Sequence, residues 1–201
     1  MKLLLATHNE HKRREFERLL VGHEVHVLPD AVELPPEDGE TFAQNALGKA
    51  RAAAQATGEV AIADDSGIEA AALGGAPGVR SARYAGENAT DAQNLAKLLR
   101  EAPAGSPLAY VCALVYVNPG TGVERVFEAR CEGRLAESPE GEGGFGYDPA
   151  FVPDDNPAGE GSLPERAGTM ITMAQLSDEQ KDAISHRGRA ARALLQGLKE
   201  D

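Results

Sequence analysis

Two adjacent acids, Asp64 and Asp65, lie directly behind a short apolar run in the stretch AIADDSG at residues 61–67. A carboxylate that faces a cleft can hold a divalent cation or accept a proton from water, which is the chemistry of hydrolysis. Neighbouring side chains at a strand end point to opposite sides, so we expect the two acids to have different roles. An Asx turn ahead of Ser66 and Gly67 explains the dipeptide alone equally well.

The stretch THNEHK at residues 7–12 could bind a phosphate group. Thr7, Asn9 and Lys12 follow a predicted strand and precede a predicted helix, where we expect free backbone N–H groups to meet an anion and a lysine to add its charge. No glycine occurs between Thr7 and Lys12, so this is not a Walker A loop. A plain helix-capping turn with a solvated Lys12 is the alternative.

A second lysine, Lys49, follows Asn45 by one turn in an alanine-rich predicted helix at residues 41–57. The apolar stripe of this helix runs through Phe42, Ala46, Ala50 and Ala53, which leaves the polar pair on an adjacent face. The pair either contacts a phosphate or only improves solubility.

Two later stretches carry aromatic and basic side chains. In GEGGFGYDP, residues 141–149, glycines permit a close backbone approach, and the ring of Phe145 could stack on a base or sugar. A tight turn with Phe145 and Tyr147 in the core is the alternative. In ISHRG, His186 and Arg187 begin the last predicted helix.

The elements that must position these residues alternate along the chain. Strands are predicted at residues 2–6, 24–28, 60–63, 108–117 and 123–133, and helices at 11–20, 41–57 and 91–101, with two more following Ser177 and Ser185. This pattern predicts an α/β fold with a mixed central β-sheet flanked by helices. Ligands of such sheets bind beyond the carboxyl ends of strands, so the loops after the first and third strands should carry the chemistry.

Composition narrows the class of protein. With 201 residues, 42% of them apolar, we expect one domain over residues 1–201. A net charge of −12 argues against binding a nucleic-acid polymer, although local lysines can still bind a small phosphate ligand. The apolar runs are too short for a membrane span or a signal peptide, which predicts a cytoplasmic protein with no membrane partner. Cys112 and Cys131 are expected in the core, and residues 153–168 are a candidate for disorder.

Six motifs, in chain order, closely resemble the inosine triphosphate pyrophosphatase family, the XTP/dITP diphosphatases that remove deaminated purine nucleotides. They are LLATHNEHKRREF, EDGETFAQNALGKA, AIADDSG, GGAPGVRSARYAG, GGFGYDPAFVP and EQKDAISHRGRA. The resemblance implies a two-lobed α/β fold with an active-site cleft between the lobes, and a homodimer. It also implies Mg²⁺-dependent hydrolysis of ITP, dITP and XTP to the monophosphate and pyrophosphate.

The resemblance assigns roles residue by residue. Asp65 is implied as the proton acceptor, and Glu37 and Asp65 as magnesium ligands, with Asp38 a competing neighbour and Asp64 a supporting acid. Substrate binding is implied for Thr7, His8, Asn9, Glu10, His11, Lys12, Lys49, Ser66, Phe145, Gly146, Tyr147, Asp148, Lys181, His186 and Arg187. Within that set Lys49 and Lys181 approach the triphosphate, residues 145–148 bind the base, and His186 with Arg187 reads the purine edge.

The chain departs from the family pattern at Gln44 and at Gln175, where the family commonly has acids. Neither position is assigned to the chemistry. Two other functions compete with the main one: a Maf-type pyrophosphatase for modified pyrimidine nucleotides, and a nucleotide-binding module without catalysis. The stretches ISHRG and GGFGYDP argue against the first, and the intact Asp65, Lys12 and Lys49 argue against the second.

Overall fold

The computed structural model describes residues 1–155 and 171–199. Most of the stretch predicted as disorder, residues 153–168, lies outside the described residues. The strands are β1 (Lys2–Leu5), β2 (Glu24–Val27), β3 (Ala61–Ala70), β4 (Pro107–Asn118), β5 (Val123–Leu135) and β6 (Phe151–Pro153). The helices are α1 (Glu10–Leu19), α2 (Phe42–Thr57), α3 (Asp91–Glu101), α4 (Asp178–Ile184) and α5 (His186–Gly197).

The six strands form one mixed sheet in the order β2-β1-β3-β4-β5-β6. Strand β1 pairs in parallel with β2 and with β3, whereas β6 pairs antiparallel with β5. The predicted α/β fold with a mixed sheet and flanking helices is therefore confirmed. Strand β6 was not predicted, because three residues are too few to show a periodic pattern.

Helix α2 shows how the sequence determines a helix locally. Thr41 accepts a hydrogen bond from the Gln44 backbone while the Gln44 side chain accepts one from the Thr41 backbone, which forms a capping box. Gly58 ends the helix with a left-handed φ of 73°, which glycine adopts without strain. The alanine stripe is buried as predicted and packs in one cluster with Leu4 and Val115. Small side chains let the helix approach the strands closely.

Strand β3 is longer than expected. The sequence predicted a strand end at residue 63 with the acids after it, whereas β3 continues through Asp64 and Asp65 to Ala70. The Ile68 backbone N–H donates to Ser81 Oγ at 2.8 Å, and a Cβ on Gly67 would lie 2.6 Å from the Gly78 carbonyl oxygen. The absent side chain of Gly67 thus lets the segment at Gly78 and Ser81 pack closely against β3 beyond the acids. The Asx-turn alternative is wrong.

Two compact units make up the described chain. The first comprises Met1–Ser66, Cys112–Ala129 and the residues from His186 onward, and the second comprises Gly67–Val111 and Arg130–Ser185 as far as these are described. Three of the four unit boundaries fall inside β3, β4 and β5, and the fourth lies between α4 and α5. Two units agree with the two lobes expected from the sequence, while the single domain and the active-site cleft stay predictions.

Each unit has its own apolar core. Leu5, Phe16 and Leu114 belong to the core of the first unit, and Leu98 and Phe151 to that of the second. Cys112 is fully buried in the first core and Cys131 in the second, so the prediction that both cysteines serve packing is confirmed. Within the described residues, no helix combines the length and apolar character that crossing a bilayer requires.

Candidate active site

Strands β1 and β3 bring the first lysine to the acids. Their parallel register sets Leu4 opposite Ala61 and Leu5 opposite Ile62, so both chains proceed to the same edge of the sheet. Lys12, in the first turn of α1, places its Nζ 3.1 Å from Asp64 Oδ1. The two stretches that the sequence singled out, THNEHK and DDSG, therefore meet at an ion pair.

Asp64 is held by cations and a hydroxyl. Its Oδ2 accepts hydrogen bonds from Ser66 Oγ at 2.9 Å and from Arg187 Nε at 3.2 Å, and the residue is almost fully buried. Burial acts to raise the pKa of Asp64, but the charges of Lys12, Arg187 and Lys49 outweigh it, so this pKa lies well below its ordinary value. Asp64 thus stays ionised at neutral pH.

Lys49 connects α2 to both acid-bearing stretches. Its ammonium donates to the Glu37 carboxylate and to the Asp64 main-chain oxygen, the latter at 2.8 Å. Burial acts to lower the pKa of Lys49, yet the charges of Asp64 and Glu37 outweigh it and raise that pKa. The solubility explanation for Lys49 is wrong, because the side chain is buried. Asp38 is exposed, and Glu37 is the acid that contacts this lysine.

Asp65 has different partners from Asp64. Its Oδ2 accepts from Asn45 Nδ2 at 2.8 Å and its Oδ1 from the Ser66 backbone at 3.0 Å. Burial raises the pKa of Asp65, although Lys49 and Lys12 act against the increase. Two neighbouring carboxylates with pKa values shifted in opposite directions are typical of sites where one acid moves a proton and the other supplies fixed charge.

The stretch THNEHK differs from expectation in its backbone. Asn9 is the N-cap of α1, and its Oδ1 accepts from the backbone N–H groups of His11 at 2.9 Å and Lys12 at 3.2 Å. Thr7 Oγ1 accepts from the Asn9 backbone. The expectation that these N–H groups are free for an anion is wrong, because the short polar side chains satisfy them locally. The charge of Lys12 is then the remaining feature of this stretch that is predicted to bind an anion.

Three other residues of this stretch are exposed or form an ion pair within α1. His8 and His11 are exposed, and Glu10 pairs with Arg13 at 2.7 Å one turn along the helix. Their substrate-binding roles stay predictions. His186, at the start of α5, is buried in the first unit.

Arg187 bridges acids from separate parts of the first unit. Its Nε donates to Asp64, one terminal nitrogen donates to Glu15 Oε2 at 3.0 Å, and the other donates to Ser66 Oγ at 2.6 Å. Burial acts to lower the pKa of Arg187, but Glu15 and Asp64 outweigh it and raise that pKa. The role of Arg187 at a purine edge stays a prediction.

Glu15, which is buried on α1 beside Phe16, was not predicted as a site residue. The signal was an acid three residues after Lys12, at the edge of the apolar face that Phe16 and Leu19 define. Such an acid suggests a cationic partner, but the pattern does not identify Arg187.

The second unit holds the stretch at residues 145–148. Asp148 Oδ2 accepts from the Phe145 backbone at 2.9 Å and from Lys181 Nζ at 2.7 Å, and that ammonium lies 5.1 Å from the Phe145 ring centroid. The Tyr147 hydroxyl donates to the Ser81 main-chain oxygen at 2.7 Å, and its ring lies in the core. The Gly146 backbone donates to Asp91 at 3.0 Å.

The acids of the first unit fit a hard divalent cation. Mg²⁺ prefers carboxylate oxygens and commonly uses one or two of them together with water and substrate phosphates. Asp64 Oδ1 is buried and lacks a well-aligned hydrogen bond, and the carboxylates of Glu37 and Asp65 supply further oxygens. Across residues 1–155 and 171–199, no three acidic, histidine or cysteine side chains converge as a full metal-ligand set. A site completed by substrate oxygens agrees with both observations.

Known proteins resemble this chain over nearly its whole length. The model of the Ham1 family matches residues 3–197. A dITP/XTP pyrophosphatase of Geobacillus kaustophilus is 46% identical, covering 96% of this chain and 92% of the relative. One from Mycobacterium tuberculosis H37Rv is 45% identical, covering 98% and 95%.

Solved structures agree with the sequence comparisons. A HAM1 protein from Coxiella burnetii superposes with a TM-score of 0.83 at 36% identity, covering all of both chains. The nucleoside-triphosphatase, or dITP/XTP pyrophosphatase, from Mycobacterium abscessus has a TM-score of 0.70 at 42% identity, covering 97% of this chain and 99% of its own. The match to the family model and the relatives that are 45–46% identical over nearly the whole chain show that this chain belongs to the Ham1 family.

Proposed function

We propose that this protein is a Mg²⁺-dependent dITP/XTP pyrophosphatase that hydrolyses ITP, dITP and XTP to the nucleoside monophosphate and pyrophosphate. The observation that carries the proposal is the cluster in the first unit. There Lys12 forms an ion pair with the Asp64 carboxylate, and Lys49 donates a hydrogen bond to the Asp64 main-chain oxygen. The neighbouring Asp65 has a raised pKa. The activity of the relatives supports the same reaction.

Phosphate binding needs local positive charge, because the chain as a whole carries a net charge of −12. Lys12 and Lys49 supply it in the first unit, and the family resemblance assigns Lys181 to the triphosphate as well. Lys12 and Lys49 contact acids, and an ammonium has three N–H donors, so each can contact an acid and a phosphate oxygen together. The acids keep the lysines in place without a substrate.

Hydrolysis transfers one proton away from the attacking water. As the water oxygen bonds to the α-phosphorus, Asp65 accepts the proton. The bond from the α-phosphorus to the oxygen that bridges it to the β-phosphate breaks, and pyrophosphate is released. The raised pKa of Asp65 makes it a better proton acceptor than Asp64. Glu37 and Asp65 would hold Mg²⁺, which when bound supplies charge neutralisation at the phosphates.

Base selection follows from hydrogen-bond chemistry. Hypoxanthine and xanthine present a 6-oxo acceptor where adenine presents a 6-amino donor. Arg187 is a pure donor, and His186 can donate as well. A donor that faces the 6-position pairs with the oxygen of a keto purine. With adenine, two donors would face each other and stay unpaired, which is costly for buried polar groups.

A homodimer is proposed on the family resemblance alone. Analytical ultracentrifugation of the full chain tests it, with a mass near twice that of the chain as the expected result. A single species with the mass of one chain would contradict it.

Pyrophosphate release tests the function. The full chain is incubated with Mg²⁺ and ITP, XTP, GTP, ATP or UTP, and pyrophosphate and orthophosphate are quantified separately. We expect pyrophosphate from ITP and XTP and little from ATP. Preferential hydrolysis of the pyrimidine nucleotide would support the Maf-type alternative. Binding of ITP without hydrolysis would support a non-catalytic module. The Asp65→Asn variant controls for a contaminating phosphatase.

A further inference from the structure

A tyrosine on β4 contacts the acid at the centre of the base-binding stretch. Tyr110 donates its hydroxyl to Asp148 Oδ1 at 2.9 Å, while Asp148 Oδ2 accepts from the Phe145 backbone and from Lys181. Both carboxylate oxygens are therefore engaged, in a residue only 3% exposed. A carboxylate held from both oxygens cannot rotate without breaking a hydrogen bond.

The ring of Tyr110 is itself held firmly. It is buried in the core of the second unit, where its centroid lies 4.5 Å from that of Phe151. A packed ring on a central strand fixes the position of its hydroxyl, and hydrogen bonds to a charged acceptor are stronger than neutral ones. Because its ring is packed on β4, Tyr110 restrains the position of the Asp148 carboxylate.

Asp148 in turn determines where two groups lie. Lys181 has a long, flexible stem, and its ammonium is positioned by the Asp148 carboxylate at 2.7 Å. The same oxygen holds the backbone of Phe145, whose ring lies beside that ammonium. Any freedom that Asp148 gains will pass to both groups.

We propose that Tyr110 is a positioning residue for the nucleotide, acting through Asp148 on Lys181 and Phe145. The inference rests on the proposed function, because it takes Lys181 and Phe145 to contact the substrate. It predicts an effect on substrate binding and little effect on the chemical step, since the groups of the first unit are unchanged. Tyr110 does not itself touch the substrate.

Two tyrosines on one strand allow a matched experiment. Tyr110→Phe removes the hydroxyl that meets Asp148 and keeps the ring. Tyr116→Phe, also on β4 and buried, removes a hydroxyl whose neighbour is the Asn118 amide at 3.4 Å. Steady-state kcat and KM for ITP with Mg²⁺ are measured with the melting temperature. We expect Tyr110→Phe to raise KM about tenfold with kcat within about twofold, and Tyr116→Phe to change neither.

A second background identifies the route of the effect. If Tyr110 acts through Asp148, then Tyr110→Phe should have no further effect on KM in a protein that already carries Asp148→Asn. If Asp148→Asn does not fold, the Lys181→Met background is used instead, where the effect of Tyr110→Phe on KM should be smaller than in the unsubstituted protein because only the route through Phe145 is left. An undiminished effect in either background would overturn the route.

The outcomes separate the two proposals. Unchanged KM in Tyr110→Phe, or an equal rise in Tyr116→Phe, while the unsubstituted protein hydrolyses ITP normally, overturns this inference alone. A fall in melting temperature without a change in KM also overturns it. Failure of the unsubstituted protein to hydrolyse ITP overturns the proposed function and this inference together.

Discussion

Arg187 Nε lies 3.2 Å from Asp64 Oδ2, and the same guanidinium reaches Glu15, so one arginine on α5 joins acids from β3 and α1. Both side chains of the Arg187–Asp64 pair are buried. A buried charge without its partner is costly, because the low-dielectric interior replaces water around it. This contact makes the acid cluster depend on the C-terminal helix.

Replacing Arg187 with Met should lower stability substantially. Asp64 and Glu15 would each lose a buried cationic partner, and breaking such a pair costs roughly 3–5 kcal/mol. Chemical denaturation measures the change in the free energy of unfolding. Arg192→Met, an exposed arginine on the same helix, is the control and should change stability by less than about 0.5 kcal/mol. Equal values for the two variants would contradict the structural role.

The same Arg187 variant tests base reading. If Arg187 also donates to the 6-oxo group, kcat/KM should fall much more for ITP than for ATP, and the ratio between the two nucleotides should narrow. We expect this selective loss. If kcat/KM falls by the same factor for ITP and ATP, Arg187 serves only the acid cluster. The backbone at residues 145–148 is then the next candidate for recognising the base.

Asp65→Asn should abolish turnover and leave the protein folded. The amide cannot accept a proton from water, and it places an N–H₂ group toward either Asn45 or the Ser66 backbone, both of which are donors. Asn45 cannot turn its oxygen toward position 65 without losing its bond to the Gly39 backbone. The mispairing should cost about 1–3 kcal/mol. ITP hydrolysis and thermal melting are measured together, and turnover within a few-fold of the original would refute the assignment.

The apparent affinity for Mg²⁺ should fall when Glu37 is changed. Omitting Mg²⁺ should remove activity, and Ca²⁺ should replace it poorly, because it is larger and polarises phosphate less. Glu37→Gln should raise the Mg²⁺ concentration needed for half-maximal activity, whereas Asp38→Asn, its exposed neighbour, should not. Substantial turnover in excess chelator would argue against any metal role for Glu37 and Asp65.

Two glycines with opposite surroundings should respond oppositely to alanine. At Gly67 a new Cβ would lie 2.6 Å from the Gly78 carbonyl oxygen, which is backbone and cannot move aside cheaply. Gly67→Ala should destabilise by about 1–3 kcal/mol and reduce activity, since Asp65 lies two residues away. At Gly48, inside α2, the nearest atom is 3.6 Å away, so Gly48→Ala should stabilise by up to about 1 kcal/mol. Unfolding curves in urea measure both changes.

The cysteines should matter for stability and not for turnover. Burial raises the pKa of the Cys112 thiol well above its ordinary value, so it stays protonated and is a poor nucleophile. Combining Cys112→Ser with Cys131→Ala should lower the melting temperature while turnover per folded molecule stays near the original. Loss of catalysis at unchanged stability would reveal a thiol role.

Much of the fold is determined locally and follows from the sequence. Thr41 and Gln44 cap α2, Gly58 ends it, and alternating strand and helix patterns predict the mixed sheet. That THNEHK and DDSG carry the chemistry was predicted from the rule that ligands of such sheets bind beyond the carboxyl ends of strands, although β3 continues past DDSG. These features depend on residues close in sequence or on rules that hold for every sheet of this class.

Only the tertiary structure decided how the charges are paired. Glu15 and Arg187 are 172 residues apart, and no local pattern connects them. The pKa shifts of Asp64 and Asp65 are opposite because the charges of Lys12 and Arg187 outweigh burial at Asp64, whereas burial dominates at Asp65, and the two adjacent acids in the sequence do not reveal this difference. The sequence predicts Tyr110 only as a core residue, and the hydrogen bond from its hydroxyl to Asp148 is seen only in the structure. Long-range electrostatics depends on which surfaces pack together, and packing is a property of the whole chain.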